Sequence, residues 1–211
     1  AFPHGIASLK AITDRLHAAG ILVGLHTYAF FIAKETLWVT PAPDPRLATD
    51  KTFTLAEKLG TDSATIPVLE STEGMSAVTG FQIRNSATLR IDDELILFNE
   101  VSTTPPYQFL ECVRGAYGTR ISEHRPGAKV ERLKECFGLF VPEGDSSLFA
   151  EVAERTAALY NQAGFDMIYL DALDGSDILA GGENAWHYAS KFTFELCNRL
   201  ERPALFEMST M

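Results

Sequence analysis

The chain has 211 residues, 46% of them hydrophobic and 22% charged, which is the composition of a folded globular protein rather than a disordered one. Its net charge of −10 excludes a sequence-independent grip on nucleic acid, which needs clustered Lys and Arg to replace phosphate counterions, and disfavours an anionic membrane surface for the same reason. Three widely spaced cysteines, Cys112, Cys136 and Cys197, form no CxxC pair, so neither a zinc site nor a disulfide framework is indicated and no metal or cofactor is expected. No apolar run reaches the length of a membrane span.

In chain order, Ser8 reads as an N-cap, and Leu9, Ile12, Leu16 and Ala19 recur at helical spacing until Gly20. ILVGLHTYAFFIA (residues 21–33) follows as a continuous apolar run, the pattern of a buried parallel strand. From about Pro41 to Glu135 the helical pattern disappears, apart from a short piece near residues 54–59. This stretch is β-rich and punctuated by Asp92-Asp93, Pro105-Pro106, Gly115 and Gly118, and LRIDDELIL has the form of a tight hairpin. The charged run RIDDE reads as a solvated turn, and His124 as a packed or surface residue rather than a ligand.

The first pattern then returns. Ser146 or Ser147 caps a helix with Phe149, Val152, Ala153, Thr156, Ala157 and Tyr160 on one face. Gly164 ends it and the strand FDMIYL follows. A third round runs from Asn184 to Arg202, then Pro203 and the strand ALFEM. Helices alternating with strands, without hairpins between them, predict parallel strands and an α/β class. The expected organisation is an α/β portion over residues 1–40 and 136–211, with a small β-rich domain inserted over residues 41–135.

Two resemblances attach to these segments. In the insert, ATLRIDDELILFNEVS followed by LECVRGAYGTRISEHRPGAKV resembles small β modules of phage tail and baseplate proteins. Elsewhere LHAAG, ILVGLHTYAFF, GFDMIYLDALDG and PALFEMS resemble consecutive units of (β/α)8-barrel glycoside hydrolases of the α-galactosidase superfamily. That resemblance implies part of a TIM-like barrel, a carbohydrate substrate, and catalytic groups at the C-terminal ends of strands. A secreted or periplasmic location would suit a polysaccharide-degrading enzyme. Eight such units need about 250 residues, so the remainder of a longer chain is expected as partner.

Asp171 matches the nucleophile position of those families. A carboxylate suits it because glycoside cleavage passes through an oxocarbenium-like state. The alternative is a loop-opening Asp that caps backbone amides. Glu207, at another strand end, is a second catalytic candidate. His26, Asp174, Tyr28 and Trp186 are candidate substrate contacts: His26 orients a carboxylate, binds a hydroxyl or is a satisfied core histidine, Asp174 binds hydroxyls or caps the turn, Trp186 stacks on a sugar face or opens a packed helix, and Tyr28 reads also as a core residue. His26, Asp171 and Glu207 are expected to converge, with Asp171 facing an open cleft and little used in capping. Two other classes stay open: a non-catalytic carbohydrate-binding or phage-tail-type structural module, and a lyase or isomerase using His26 and Asp171 for proton transfer. No HExxH, GxSxG or Walker pattern supports a metalloprotease, serine hydrolase or NTPase.

Overall fold

A computed structural model describes residues 3–209. It begins with α1 (Ile6–Ala18) and β1 (Gly24–Thr27). Nine short strands follow: β2 (Thr49–Thr54), β3 (Ile66–Pro67), β4 (Thr88–Ile91), β5 (Glu94–Leu97), β6 (Glu100–Ser102), β7 (Gln108–Leu110), β8 (Lys129–Leu133), β9 (Glu135–Cys136) and β10 (Leu139–Phe140). The chain closes with α2 (Ser147–Ala163), β11 (Met167–Leu170), the short α3 (Asp177–Ala180), α4 (Ala185–Cys197) and β12 (Leu205–Met208). Two compact units result: Ala1–Phe31 with Gly144–Met211, and Ile32–Glu143.

The first unit holds a parallel sheet in the order β1-β11-β12. These strands are parallel neighbours in the sequence of their appearance, as helix–glycine–strand repeats require. They do not form a barrel, and the expected fold class is corrected accordingly. Among the described residues this sheet has three strands and two free edges, whereas a (β/α)8 barrel closes eight strands with a fixed stagger. The architecture is mixed α/β, with few helices and small separate sheets.

Side chains on a strand alternate between faces. Ile168 and Leu170 on β11 are fully buried, and so are Phe149 and Tyr160 of α2 and Phe192 and Leu196 of α4. Phe30, just beyond β1, packs its ring 5.3 Å from Phe149 and 5.8 Å from Phe192, and Phe149 lies 5.6 Å from Phe192. Each such side chain contributes about 1.5–3 kcal/mol by leaving water. The other face of the sheet carries Gly24, His26, Leu205 and Glu207, all exposed. Parallel sheets ordinarily bury both faces; here one face presents polar and aromatic groups.

Local details depart from sequence expectation for identifiable reasons. α1 starts at Ile6, before Ser8, whose Oγ accepts the His4 N–H inside the first turn. The apolar run of residues 21–33 yields only a four-residue strand, because Ala29 takes a left-handed φ of 40° and turns the chain. Residues 54–59 form no helix. Leu55 and Leu59 instead make β-bridges to Val68 and His124 and are buried in the core of the second unit.

α2 ends as its sequence indicates. Gly164 has φ 83° and its N–H donates to the Tyr160 carbonyl, closing the helix before Asp166 turns into β11. A Cβ at this position would meet only ordinary contacts, 3.7 Å from Thr13 Oγ1 and 3.9 Å from the Arg202 guanidinium. Backbone strain therefore dominates, and Gly164→Ala should cost about 1–2 kcal/mol, read as a lower urea midpoint at constant slope. An unchanged midpoint would show that the turn relaxes.

The second unit is antiparallel. β2-β8-β4-β5 form one sheet, β3-β7-β6 another, and β9 pairs with β10. The predicted hairpin is present: Ile91 opposes Glu94 across a two-residue turn in which Asp92 has φ 51°. The expectation that RIDDE is a solvated turn holds for its tip alone, since Glu94 is fully buried. Its oxygens accept from the Arg114 Nε and Nη2, from the N–H groups of Gly115 and Ser122, and from His124 Nε2. His124, itself buried, places Nδ1 2.8 Å from Asp92 Oδ2. Burial opposes the Glu94 charge, but Arg114, His124 and the Ser122 amide outweigh it and hold the carboxyl below its ordinary range.

Candidate functional site

The strand register assembles the site in the first unit. His26 on β1 lies opposite Tyr169 on β11, and Tyr169 lies opposite Glu207 on β12. Residues directly across a sheet share a face. These three therefore form one row on the face without helices, near the C-terminal ends of the strands. Neighbouring strands stand roughly 4.8 Å apart, so the row is compact. The His26 and Tyr169 rings stack at 4.9 Å between centroids, with 15° between planes, and Tyr28 leans on His26 at 5.6 Å.

Asp171 follows β11 directly, two residues beyond Tyr169. Its Oδ2 lies 3.1 Å from His26 Nε2. Its Oδ1 accepts the Ala172 N–H at 2.8 Å and faces the Tyr169 hydroxyl at 3.4 Å. Asp171 therefore both caps a backbone amide and meets a side chain across the sheet, where a largely uncapped carboxylate was expected. The capped amide belongs to Ala172, whose left-handed φ of 61° starts the turn Leu173–Ser176. Ser209, just after β12, secures that turn by accepting the Leu173 N–H on its Oγ.

The electrostatics follow from this arrangement. Partial burial raises the cost of the Asp171 charge. Donation from Ala172, His26 and Tyr169 more than compensates, and the carboxyl is held below its usual range. Asp171 is accordingly ionised at neutral pH. The Tyr169 hydroxyl moves the other way, pushed up by desolvation and then by the charges of Asp171, Glu207 and Asp174. Of these carboxylates, Asp171 meets the hydroxyl directly, and Glu207 shares its face through the strand register. The His26 side chain is 54% exposed and that of Asp171 28%, so the pair is open to a ligand.

His26, Asp171 and Glu207 thus adjoin Tyr169, Tyr28 leans on His26, and Asp174 stands in the turn after Asp171 with its N–H toward Ser209 Oγ. Trp186 does not join them by any contact: its ring meets His187 at 5.9 Å and is 63% exposed at the start of α4. Tyr169 was missed in the sequence because it sits inside the apolar run FDMIYL. The available signal was alternation, since a residue two before Asp171 must share its face. Among the described residues, no group of three or more His, Cys, Asp or Glu is placed to hold a metal ion.

No known protein family, no curated protein and no solved structure matches the chain. The resemblances drawn from sequence fragments are corrected by this result together with the fold. Small open sheets stand where the α-galactosidase-superfamily barrel was expected, and no match supports a hydrolase or glycosidase, or a phage-tail module. The fragments misled because helix–glycine–strand punctuation is common to parallel α/β sheets of every kind, closed or open.

Proposed function

We propose that the strand ends of the first unit form a carbohydrate-binding site. The observation that carries this reading is the row His26–Tyr169–Glu207 on an exposed sheet face, with ionised Asp171 closing on His26. A sugar presents hydroxyls around an apolar C–H face. Carboxylates of Asp171 and Glu207 suit the hydroxyls as acceptors, and the Tyr28 and His26 rings suit the C–H face. Asp174, in the turn that follows Asp171, is a further candidate acceptor.

A second reading rests on the 3.1 Å contact between His26 Nε2 and Asp171 Oδ2. An imidazole paired with a carboxylate is equipped to move a proton to or from a bound ligand, as general acid–base catalysis requires.

The test is a titration of the His26 and Tyr169 ring resonances with a panel of neutral mono- and oligosaccharides. Saturable shifts are expected with at least one sugar and not with the Glu207→Gln variant. A panel that leaves these resonances unmoved up to millimolar concentrations overturns carbohydrate binding. Incorporation of deuterium into a bound sugar's C–H positions in D2O, lost in His26→Ala, would identify the proton-transfer reading.

A further inference from the structure

We propose that Tyr169 is a positioning residue, holding the His26–Asp171 pair in its contact geometry through its ring and its hydroxyl. The inference rests on the binding reading above only for its consequence on ligand affinity; the geometric claim stands independently of any ligand.

The two components differ in strength. The Tyr169 hydroxyl is 3.4 Å from Asp171 Oδ1, longer than the 2.7–2.8 Å typical of O–H···O bonds. The ring is better placed. It sits opposite His26 in the register and stacks on the imidazole at 4.9 Å, almost parallel. The His26 side chain is more than half exposed and meets solvent where the ring does not cover it. Its conformational freedom is therefore limited on one side by Tyr169, with Tyr28, just past the end of β1, tilted against it. Fixing a side chain that otherwise samples several rotamers removes an entropic cost from any event that uses it.

The central strand explains why position 169 carries this load. β11 is bonded on both sides, to β1 and β12, so its backbone is the least free to move of the three. Its aromatic side chain passes that rigidity to a histidine on one edge. It also reaches a carboxylate two residues further along the chain, just past the strand end. Phe at 169 would keep the stack and lose the hydroxyl; Leu would lose both.

The experiment uses the full chain and two readouts. The first needs no ligand: the ring-proton shifts of His26 and the titration of the Asp171 carboxyl carbon. The groups facing Asp171 are His26 on β1, Tyr169 on β11 and the Ala172 amide, and all remain in both variants except Tyr169 itself. Stacking displaces the His26 ring protons upfield. In Tyr169→Phe that displacement should persist, with the Asp171 midpoint moving slightly upward. In Tyr169→Leu the displacement should fall to what the Tyr28 ring alone produces and the Asp171 midpoint should rise further, because His26 no longer stays near Oδ2. His26 and Asp171 signals unchanged in a folded Tyr169→Leu protein overturn the proposal. If Leu does not fold, loss of the upfield displacement in Tyr169→Phe overturns it instead.

The second readout is saccharide affinity, expected to weaken about tenfold in Tyr169→Leu and two- to threefold in Tyr169→Phe. Equal affinity in wild type and a folded Tyr169→Leu overturns the consequence for binding. A wild-type protein that binds no sugar removes the carbohydrate reading, while the ligand-free signals still decide the role of Tyr169.

Discussion

Replacing Glu94 by Gln is expected to destabilise the second unit by about 3–5 kcal/mol, the range for breaking a buried, hydrogen-bonded ion pair from one side. Glu94 and Arg114 are buried side chains, and five donors converge on the two carboxylate oxygens. Gln preserves the shape but turns one acceptor into a donor. If its oxygen keeps Arg114 Nε and the Gly115 amide, its NH2 faces Arg114 Nη2, the Ser122 amide and His124 Nε2. Buried donors then oppose one another, and the guanidinium loses its counter-charge. For a domain of this size the thermal midpoint should drop by on the order of 15 °C. A loss below about 1 kcal/mol would mean that water or a rearranged loop replaces the carboxylate, against the range for buried pairs.

The same residue sets a pH dependence with a definite sign. The folded Glu94 carboxyl titrates below the unfolded one, so its contribution is fully present above the ordinary carboxylate range, about pH 4.3. It is lost as pH falls through the folded value, where the native state must take up the proton it had excluded. Asp44, whose carboxyl Arg46 holds below its ordinary range, acts in the same direction in this unit. Urea midpoints measured between neutral and acidic pH should therefore decline on the acid side in wild type. The decline should be shallower in Glu94→Gln, which has no proton to take up. Parallel curves would assign the acid sensitivity to other carboxyls.

Replacing Asp171 by Asn is the second large effect, on the site instead of the fold. Asn keeps an oxygen for the Ala172 N–H, so the turn after β11 should survive and stability should change little. What disappears is the negative charge facing His26 at 3.1 Å, and with it the acceptor proposed for ligand hydroxyls. Hydrogen bonds to charged groups contribute about 1.5–3 kcal/mol, so saccharide affinity should fall roughly 10- to 100-fold. Isothermal titration of wild type and variant with the sugar found by the resonance panel would measure it. Equal affinities would remove Asp171 from the binding surface and leave it as the cap of Ala172.

Several parts of this arrangement are legible without coordinates. An apolar run stopped by a carboxylate predicts a buried strand with Asp171 at its end, and β11 ends one residue before it. Gly164 closes the preceding helix for a local reason, its ability to take a left-handed φ. Parallel order follows from helices standing between strands, and β1, β11 and β12 pair in that order. The Asp92-Asp93 turn is likewise set by its own residues.

The rest depends on residues far apart in the chain. His26 and Asp171 are separated by 145 positions, and their contact follows from the register that sets Thr27 against Leu170. That register moves every side chain to the other face if it slips by one residue. Tyr169 reads as one more apolar residue of a buried run until His26 and Glu207 are placed on either side of it. Glu94 reads as part of a solvated turn, and becomes a buried hub because Arg114 and His124 arrive from segments 20 and 30 residues away. Barrel closure is absent from any single helix–strand unit, since it depends on strand number and stagger together. Local patterns of hydrophobicity, glycine and capping residues therefore determine the elements and where their carboxylates stand. Which side chains meet across them is a matter of register and long-range packing, and only the tertiary structure decides it.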